Sequence, residues 1–188
     1  MNKKDLRVIK TKNTLYNTLI ELMREKQFEE IKVSDICNHA LINRSTFYSH
    51  YNDKYELLAD YISDLKKSLL SELEKNKNTL NTKEYYLEMI KLFLNHIEEK
   101  RESYLSTVIN NHNSIMMDIV YDVLVHDISS SLKKEEDEKI PRSIIAKFYI
   151  GAVVSVGIEW LKNGKQYTKE EMLEYFDLLI PDELNHKK

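Results

Sequence analysis

A short stretch near the N-terminus carries a dense set of side chains that could bind another molecule. Six hydrogen-bonding residues surround one aromatic residue, Phe47: Arg44, Ser45, Thr46, Tyr48, Ser49 and His50. On a helix, Phe47 would face inward and the polar residues would face outward. Guanidinium, hydroxyl and imidazole groups on an exposed helical face can bond to base edges and phosphate oxygens. This is the chemistry by which a protein recognises double-stranded DNA.

Two further helices are needed to position this polar face. The helix before it is marked by residues at i, i+3, i+4 and i+7: Val33, Ile36, Cys37 and Ala40. Asn43 is a good N-cap residue for the polar helix, and Asp53 with Glu56 resembles a capping box for the helix that follows it. Two short helices and a tight turn near the start of a small helical chain predict a helix-turn-helix, and hence a DNA-binding regulator.

The segment resembles the helix-turn-helix of the TetR/AcrR family of transcriptional regulators. The resemblance is carried at fixed spacing by Val33, Asp35, Ile36, Ala40, Ile42, Thr46, Phe47, Tyr48, His50, Tyr51, Lys54 and Leu57. Three positions depart from the family pattern. Lys32 and Asn43 replace a capping Thr and a capping Ser, and Asn43 is expected to preserve the cap chemistry. Leu41 replaces the turn Gly, which would cost about 1 kcal/mol if its φ is positive.

The resemblance implies an all-α fold of about nine helices. A three-helix DNA-binding domain would occupy residues 1–69, with its motif at about 32–51, and a helical dimerisation and ligand-binding domain would occupy 70–188. The implied DNA-binding residues are Arg44, Ser45, Thr46, Tyr48, Ser49, His50 and Lys54. Lys54 would contact phosphate at a helix start. Some of the cations between Lys3 and Lys12 would also lie near the DNA backbone, although a solvated surface explains them equally well.

Composition agrees with a helical regulator. The 188 residues are 42% apolar and 31% charged, with three glycines and two prolines. The net charge is −3, but residues 1–54 hold ten Lys/Arg against seven Asp/Glu, which orients the N-terminal part toward phosphate. No apolar run approaches the roughly 18 residues of a membrane span, and Cys37 is expected to be a small core residue rather than a redox sensor. We expect no membrane association and a cytoplasmic location.

Periodicity, caps and breakers predict the remaining helices. The first is expected from Leu6 to Arg24, and the one that starts at Asp53 is expected to reach about Glu74. Further helices are predicted near 83–98, 101–111, 113–132, 141–163 and 168–180. The charge run at 133–139 predicts an exposed loop. Thr168 with Glu171 forms a capping box for the last helix.

The C-terminal region resembles one TetR subgroup, the regulators of dihydroxyacetone kinase operons. The residues that carry this resemblance are Gly151, Trp160, Leu161, Gly164, Thr168 and Glu171. The family forms its dimer through its last two helices, which implies an interface at Gly151, Ser155, Ile158, Met172 and Phe176. Intramolecular core packing would explain the same apolar composition, and a homodimer is favoured because a palindromic operator requires two-fold symmetry.

The middle helices are rich in aromatic and methionine residues that could line a ligand pocket. The predicted lining is Tyr85, Met89, Phe93, Tyr104, Met117, Tyr121 and Phe148, with Tyr104, His112 and Glu159 as polar anchors. Taken one residue at a time, ordinary core packing accounts for these side chains better than a pocket does. The expected effector is a small apolar molecule, and no cofactor or metal is expected.

An enzyme is not expected, because the six histidines lack metal spacing and no nucleophile elbow or phosphate loop is present. The predicted function is a homodimeric repressor that binds a palindromic operator and is released by an effector. The alternative is a TetR-like co-regulator that acts through protein contacts without binding DNA. Retention of Arg44, Tyr48 and Lys54 favours the first, whereas Leu41 favours the second. The operator, the regulated genes and the identity of an effector do not follow from the sequence.

Overall fold

The computed structural model describes residues 3–75, 80, 82–111, 115–131, 140–163 and 166–181. Within these ranges the regular structure is helical, which confirms the predicted all-α class. The elements are α1 Lys3–Glu25, the 3-10 turn Phe28–Glu30, α2 Val33–His39, α3 Arg44–Tyr48, α4 Lys54–Lys75, α5 Thr82–Glu99, α6 Arg101–Asn111, α7 Ile115–Ser131, α8 Arg142–Asn163 and α9 Lys169–Leu179. Each predicted helix has a counterpart whose ends agree to within about three residues. His112, Gly164 and the predicted 133–139 loop lie outside the described residues.

The chain divides into two compact units. The first unit comprises Met1–Ser63 and Ser106–Phe148, and the second comprises Asp64–Leu105 and Tyr149–Lys188. Helices α4, α6 and α8 each contribute residues to both units. This division follows packing, and the functional boundary predicted near residue 69 stays a prediction.

The core of the first unit is built from the first four helices and the 3-10 turn. Leu15, Leu19, Phe28, Phe47 and Leu57 are all 0% exposed. Met116 of α7 joins the same cluster. Cys37 also lies in it, as expected of a core residue, and burial raises the pKa of its thiol. The three helices that carry the predicted motif are therefore held by a dry, closely packed interior.

The core of the second unit joins α5, α8 and α9. Its buried residues are Ile90, Leu94, Trp160, Met172, Phe176 and Ile180. Met172 and Phe176 are only 3% and 4% exposed, as intramolecular core packing would give, and their place in a dimer interface stays a prediction. The exposed apolar residues of α9 are instead Tyr175, Leu178 and Leu179. Both faces of α9 are apolar, and packing against α5 decides which face turns inward.

Two helix starts follow the predicted capping chemistry, one of them with a change of partner. The Thr168 N–H donates to Glu171 Oε2 at 2.7 Å, and the Glu171 N–H donates to Thr168 Oγ1 at 3.2 Å. Asp53 Oδ1 accepts the Tyr55 and Glu56 N–H groups at 2.9 and 2.8 Å. The Glu56 carboxylate accepts from the Asn52 N–H rather than from that of Asp53. The start of α4 is therefore fixed from both directions.

Helix α8 is long and apolar enough to cross a membrane by length and composition alone, although Lys147 and Glu159 interrupt its apolar run. Ser143–Asn163 is a 21-residue helical segment with a mean hydropathy of 1.6, and only 28% of its apolar window is buried. Much of this apolar helix is therefore left uncovered in the single chain. Ile144, Phe148 and Val156 are 54%, 70% and 40% exposed. Length and composition alone would also suit a soluble helix whose apolar face packs against another surface.

Candidate nucleic-acid interface

The turn between α2 and α3 places Leu41 in a left-handed backbone conformation. The Ala40 N–H donates to the Ile36 carbonyl at 2.9 Å, and the Ile42 N–H donates to the Cys37 carbonyl at 3.0 Å. Leu41 has φ 53° and a side chain that is 91% exposed. The condition under which Leu41 would be strained is therefore met, and a branched side chain occupies a backbone conformation that favours glycine.

Asn43 is the N-cap residue of α3, as predicted, but the expected cap chemistry is wrong. Its side chain forms no cap hydrogen bond. The Thr46 N–H, which a capping side chain would accept, donates to the Asn43 backbone carbonyl at 3.0 Å. The first turn of this short helix is therefore closed by the main chain, and the Asn43 amide is exposed beside the polar face.

Helix α3 is anchored by Phe47 and turns its polar residues outward. Phe47 is 0% exposed, whereas Tyr48 is 56% exposed. Arg44, Ser45 and Ser49 are exposed, and Thr46 and His50 are half-buried. The Ser49 hydroxyl donates to the Thr46 carbonyl at 2.7 Å, which leaves its oxygen as an acceptor toward solvent. The structure thus brings six of the seven predicted DNA-binding side chains to one surface.

An open depression lies beside this polar face, between the starts of α2, α3 and α4. Its lining is Ile31, Lys32, Val33, Ser34, Arg44, Tyr48, Asp53, Lys54 and Tyr55. Lys32, Arg44 and Tyr48 are exposed. The one carboxylate in the lining, Asp53, caps α4. Two exposed cations and a phenol at one concave surface form a donor set suited to an anion. The sequence reasoning missed Lys32 and Ser34, although both flank the predicted start of α2.

The seventh predicted residue, Lys54, points into the protein. Its ammonium donates to the carbonyls of Phe28, Glu29 and Ile31 at 2.7, 2.9 and 2.8 Å. It also lies over the rings of Phe28 and Tyr55, at 4.8 and 5.4 Å from their centroids. Burial lowers the pKa of this ammonium, while Glu29 and Asp35 act to raise it. Three donor sites on three carbonyls leave no ammonium proton for a phosphate, so the proposed phosphate contact is wrong for the side chain and stays a prediction for the backbone N–H.

Asp60 holds the end of the helix-turn-helix in place, a role that the sequence reasoning missed. Its Oδ2 accepts from Tyr16 and Tyr51 hydroxyls at 2.8 and 2.7 Å and from the Lys12 ammonium at 2.7 Å. Burial acts to raise the pKa of Asp60, but the bonds from Lys12, Tyr51 and Tyr16 outweigh it and lower the pKa. Because Tyr51 follows α3 directly, this carboxylate joins α3 to α1 and α4.

Asp35 anchors the start of α2 in a similar way. Its carboxylate accepts from the Lys26 ammonium at 2.9 Å and from the Lys32 N–H at 3.1 Å. These two bonds, with that of Lys26 the larger contribution, lower the pKa of Asp35. The Lys32 side chain has no acceptor atom with which to replace the capping Thr of the family pattern. Asp35 supplies the cap instead and leaves the Lys32 ammonium at the depression.

The residues predicted to line a ligand pocket belong to different units. Tyr85, Met89, Phe93 and Tyr104 are half-buried residues of the second unit. The Tyr104 hydroxyl lies 2.8 Å from His96 Nε2, and burial lowers the pKa of His96. Met117, Tyr121 and Phe148 belong to the first unit, where Met117 packs against the core and Phe148 is 70% exposed. The other predicted anchor, Glu159, accepts from Asn163 Nδ2. The pocket itself stays a prediction.

Of the predicted interface residues, three remain accessible in the single chain. Ser155 is exposed, and Gly151 and Ile158 are half-buried. The accessible side of α8 also carries larger apolar residues that the interface prediction omitted: Ile144, Phe148 and Val156. Their spacing of four and eight residues, which places them on one side of a helix, was the sequence signal that could have identified them.

Comparison with known proteins agrees with this geometry. Residues 15–61 match the family model of bacterial regulatory proteins of the tetR family, and residues 84–182 match that of a transcriptional regulator C-terminal region. A 59-residue stretch is 41% identical to the uncharacterized HTH-type transcriptional regulator YxbF of Bacillus subtilis (strain 168). That stretch covers 31% of this chain and 16% of YxbF, so the relative extends well beyond the matched region.

Solved structures share the fold over nearly the whole chain. A TetR transcriptional regulator from Streptococcus agalactiae 2603V is 28% identical, with a TM-score of 0.62 over 94% of this chain and 96% of that one. The dihydroxyacetone kinase operon activator DhaS is 20% identical, with a TM-score of 0.50 over 91% of this chain and 94% of its own. A member of the predicted subgroup thus has the same fold. On the matches to both its N-terminal and its C-terminal regions, this chain belongs to the TetR family of bacterial regulators.

Proposed function

We propose that this protein is a homodimeric transcriptional repressor that inserts α3 into the major groove of a palindromic operator. The observation that carries the proposal is the polar surface of α3, where Phe47 is fully buried and Arg44, Ser45 and Tyr48 are exposed. A helix of this kind suits base and phosphate recognition in the major groove. The proposed site of action is the cytoplasm.

The depression beside α3 supports a specific docking of the DNA backbone. Lys32, Arg44 and Tyr48 line it together, so a phosphate placed there would meet two cations and a hydroxyl. Arg44 stands at the boundary between this depression and the exposed face of α3, from which a guanidinium can also reach a guanine edge. Ser45, Thr46, Ser49 and His50 complete the proposed contact surface.

Dimerisation is supported by the uncovered side of α8. Ile144, Phe148 and Val156 leave apolar area exposed in the single chain, while the small, exposed Ser155 allows a second backbone to approach. Leu178 and Leu179 of α9 are also 77% and 72% exposed. Packing α8 and α9 against the same helices of a second copy would bury these residues and give the two-fold symmetry that a palindrome needs.

The proposed release mechanism is an effector that binds the conformation with low DNA affinity. Such a molecule lowers operator affinity by its differential affinity for the two states. The aromatic and methionine residues of α5 and α6 support a small apolar effector, through the half-buried Tyr85, Met89, Phe93 and Tyr104. Thermal-shift screening of small apolar compounds, followed by operator binding with each hit, tests this part separately from DNA binding.

Selection of bound fragments from random and genomic DNA with the purified protein tests the central proposal. A palindromic consensus is the expected result, and no enrichment would favour the co-regulator alternative. Arg44→Ala should then relax preference at one position per half-site, by about 1–3 kcal/mol. Arg24→Ala, at an exposed position of α1, is the matched control and should leave the preference unchanged. A loss that is equal at all sequences would make Arg44 a phosphate contact.

A further inference from the structure

Asn111, the last residue of α6, is a fully buried polar residue of the first unit, with 0% exposure. Its Oδ1 accepts the Phe28 N–H at 2.6 Å, and its Nδ2 donates to the Met23 and Thr107 carbonyls at 2.9 Å each. The bond to Thr107 lies within α6. The other two cross more than 80 positions of the sequence and end on Met23, in the last turn of α1, and on Phe28, in the segment that joins α1 to α2.

The same segment is held from its other side by Lys54. The Phe28 N–H donates to Asn111, and the Phe28 carbonyl accepts from the Lys54 ammonium at 2.7 Å. The Ile31 carbonyl also accepts from the Lys54 ammonium. Ile31 and the next residue, Lys32, both line the depression. Phe28 therefore links the Asn111 side chain to Lys54, the first residue of α4, through one hydrogen bond to its N–H and one to its carbonyl.

The environment makes the Asn111 bonds harder to replace than those of its neighbour. Asn110 Nδ2 donates to the Arg24 carbonyl at 2.8 Å, but this bond is exposed, so water can substitute for it. Without the Asn111 amide, one N–H and two carbonyls would lose a buried partner. A buried group left unpaired is much more costly than an exposed one.

We propose that Asn111 is a positioning residue for DNA recognition. It fixes Phe28, and through the three carbonyls that bind Lys54 it sets the distance between the starts of α2 and α4. Those two helix starts line the depression proposed to receive the DNA backbone. Asn111 itself does not touch DNA; it raises the fraction of molecules whose helix starts are aligned for binding. This inference rests on the proposed DNA-binding function.

The test compares Asn111→Ala, Asn111→Asp and the control Asn110→Ala in the full chain, with the selected operator as the probe. Asn111→Ala should weaken operator binding about tenfold or more, whereas Asn110→Ala should change it less than about twofold. Asn111→Asp keeps an acceptor for Phe28 but places a carboxyl group against two carbonyls. Asn111→Asp should therefore lose at least as much thermal stability as Asn111→Ala, but it should bind the operator more tightly than Asn111→Ala does.

Hydrogen exchange at the Phe28 amide provides the second measurement. This amide should exchange faster in Asn111→Ala and remain protected in Asn111→Asp and Asn110→Ala. Titration of each variant with excess operator gives the concentration of binding-competent protein. The affinity is then calculated from that concentration, so that unfolded protein does not lower it. If Asn111→Ala does not fold, Asn111→Ser takes its place with the same expected ranking against Asn111→Asp.

Two results would overturn the positioning role. One is wild-type operator affinity in Asn111→Ala; the other is an affinity ranking that follows stability, with the aspartate variant the weaker binder. A purely structural residue would give the second result. If the wild-type protein bound no selected DNA, that result would instead contradict the proposed function. The two failures are therefore distinguishable.

Discussion

The first four helices and the 3-10 turn bury a continuous apolar core within the chain, with Phe28, Phe47 and Leu57 at 0% exposure. Along α8 and α9, Phe148, Leu178 and Leu179 are 70%, 77% and 72% exposed. The two regions also differ in the polar groups they present. The first turns Arg44 and Tyr48 outward over a closed core, whereas the second exposes apolar area that water covers poorly. The first surface suits a nucleic acid, and the second suits another apolar protein surface.

The largest expected effect comes from charging the uncovered side of α8. Ser155→Arg places a long cation at an exposed small residue, so the single chain should fold while the close approach of a second copy is blocked. Loss of the dimer should weaken operator binding about a hundredfold or more, because each half-site would then bind alone. Light scattering with size-exclusion chromatography and operator titration measure the two effects.

Ser68→Arg, at an exposed position of α4, is the matched control and should change neither result. A Ser155→Arg protein that stays dimeric and binds the operator normally would show that α8 is not the interface. The proposal that the exposed apolar side of α8 packs against a second copy would then be wrong.

Lys54 tests whether the first region depends on an internal cation rather than on an exposed one. Lys54→Met keeps the length of the side chain but leaves three carbonyls without their donor, which should lower the free energy of unfolding by roughly 2–4 kcal/mol. Lys67→Met, at an exposed position of the same helix, should change it little. Urea denaturation measures both variants. Unchanged stability in Lys54→Met, with weaker DNA binding, would restore a phosphate role for the ammonium.

The sequence predicts local features of this surface well because neighbouring residues determine them. The Asp53 cap, the inward Phe47 and the positive φ of Leu41 each follow from a residue type at a position within one or two helical turns. The destinations of long polar side chains do not. The Lys54 ammonium reaches carbonyls 23 to 26 positions away, and Asn111 reaches an amide 83 positions away, so neither contact could be read from spacing.

The C-terminal helices were difficult to orient from sequence for a different reason. Helix α9 is apolar on more than one side, so the pattern could not decide whether Met172 and Phe176 or Leu178 and Leu179 face inward. The structure decides it through α5, whose Ile90 and Leu94 lie in the same core as Met172 and Phe176. Similarly, scattered charges hid the length of the apolar segment in α8, which only a continuous helix reveals.

Acidification should destabilise the first region through Asp60. Its pKa lies below the ordinary value, so the native carboxylate contributes stability above the ordinary range of about pH 4, and this contribution is lost as the pH falls through the native pKa. Asp60→Asn should lower stability at neutral pH by roughly 1–2 kcal/mol and flatten the acid side of the stability profile. Thermal melts from neutral to acidic pH measure this. Equal acid sensitivity in both proteins would assign it to other carboxylates.

The smallest expected effect comes from relieving the turn between α2 and α3. Leu41 has φ 53° and is 91% exposed, so Leu41→Gly removes the unfavourable Cβ contact and loses almost no buried area. The gain of about 1 kcal/mol is partly offset because glycine makes the unfolded chain more flexible, which leaves roughly 0.5 kcal/mol of added stability. Leu41→Ala retains the Cβ and should gain nothing, so the difference between the two variants in urea denaturation isolates the backbone effect. Unchanged operator affinity in Leu41→Gly would mean that this departure from the family turn affects folding alone, whereas weaker binding would show that the exposed leucine contacts DNA.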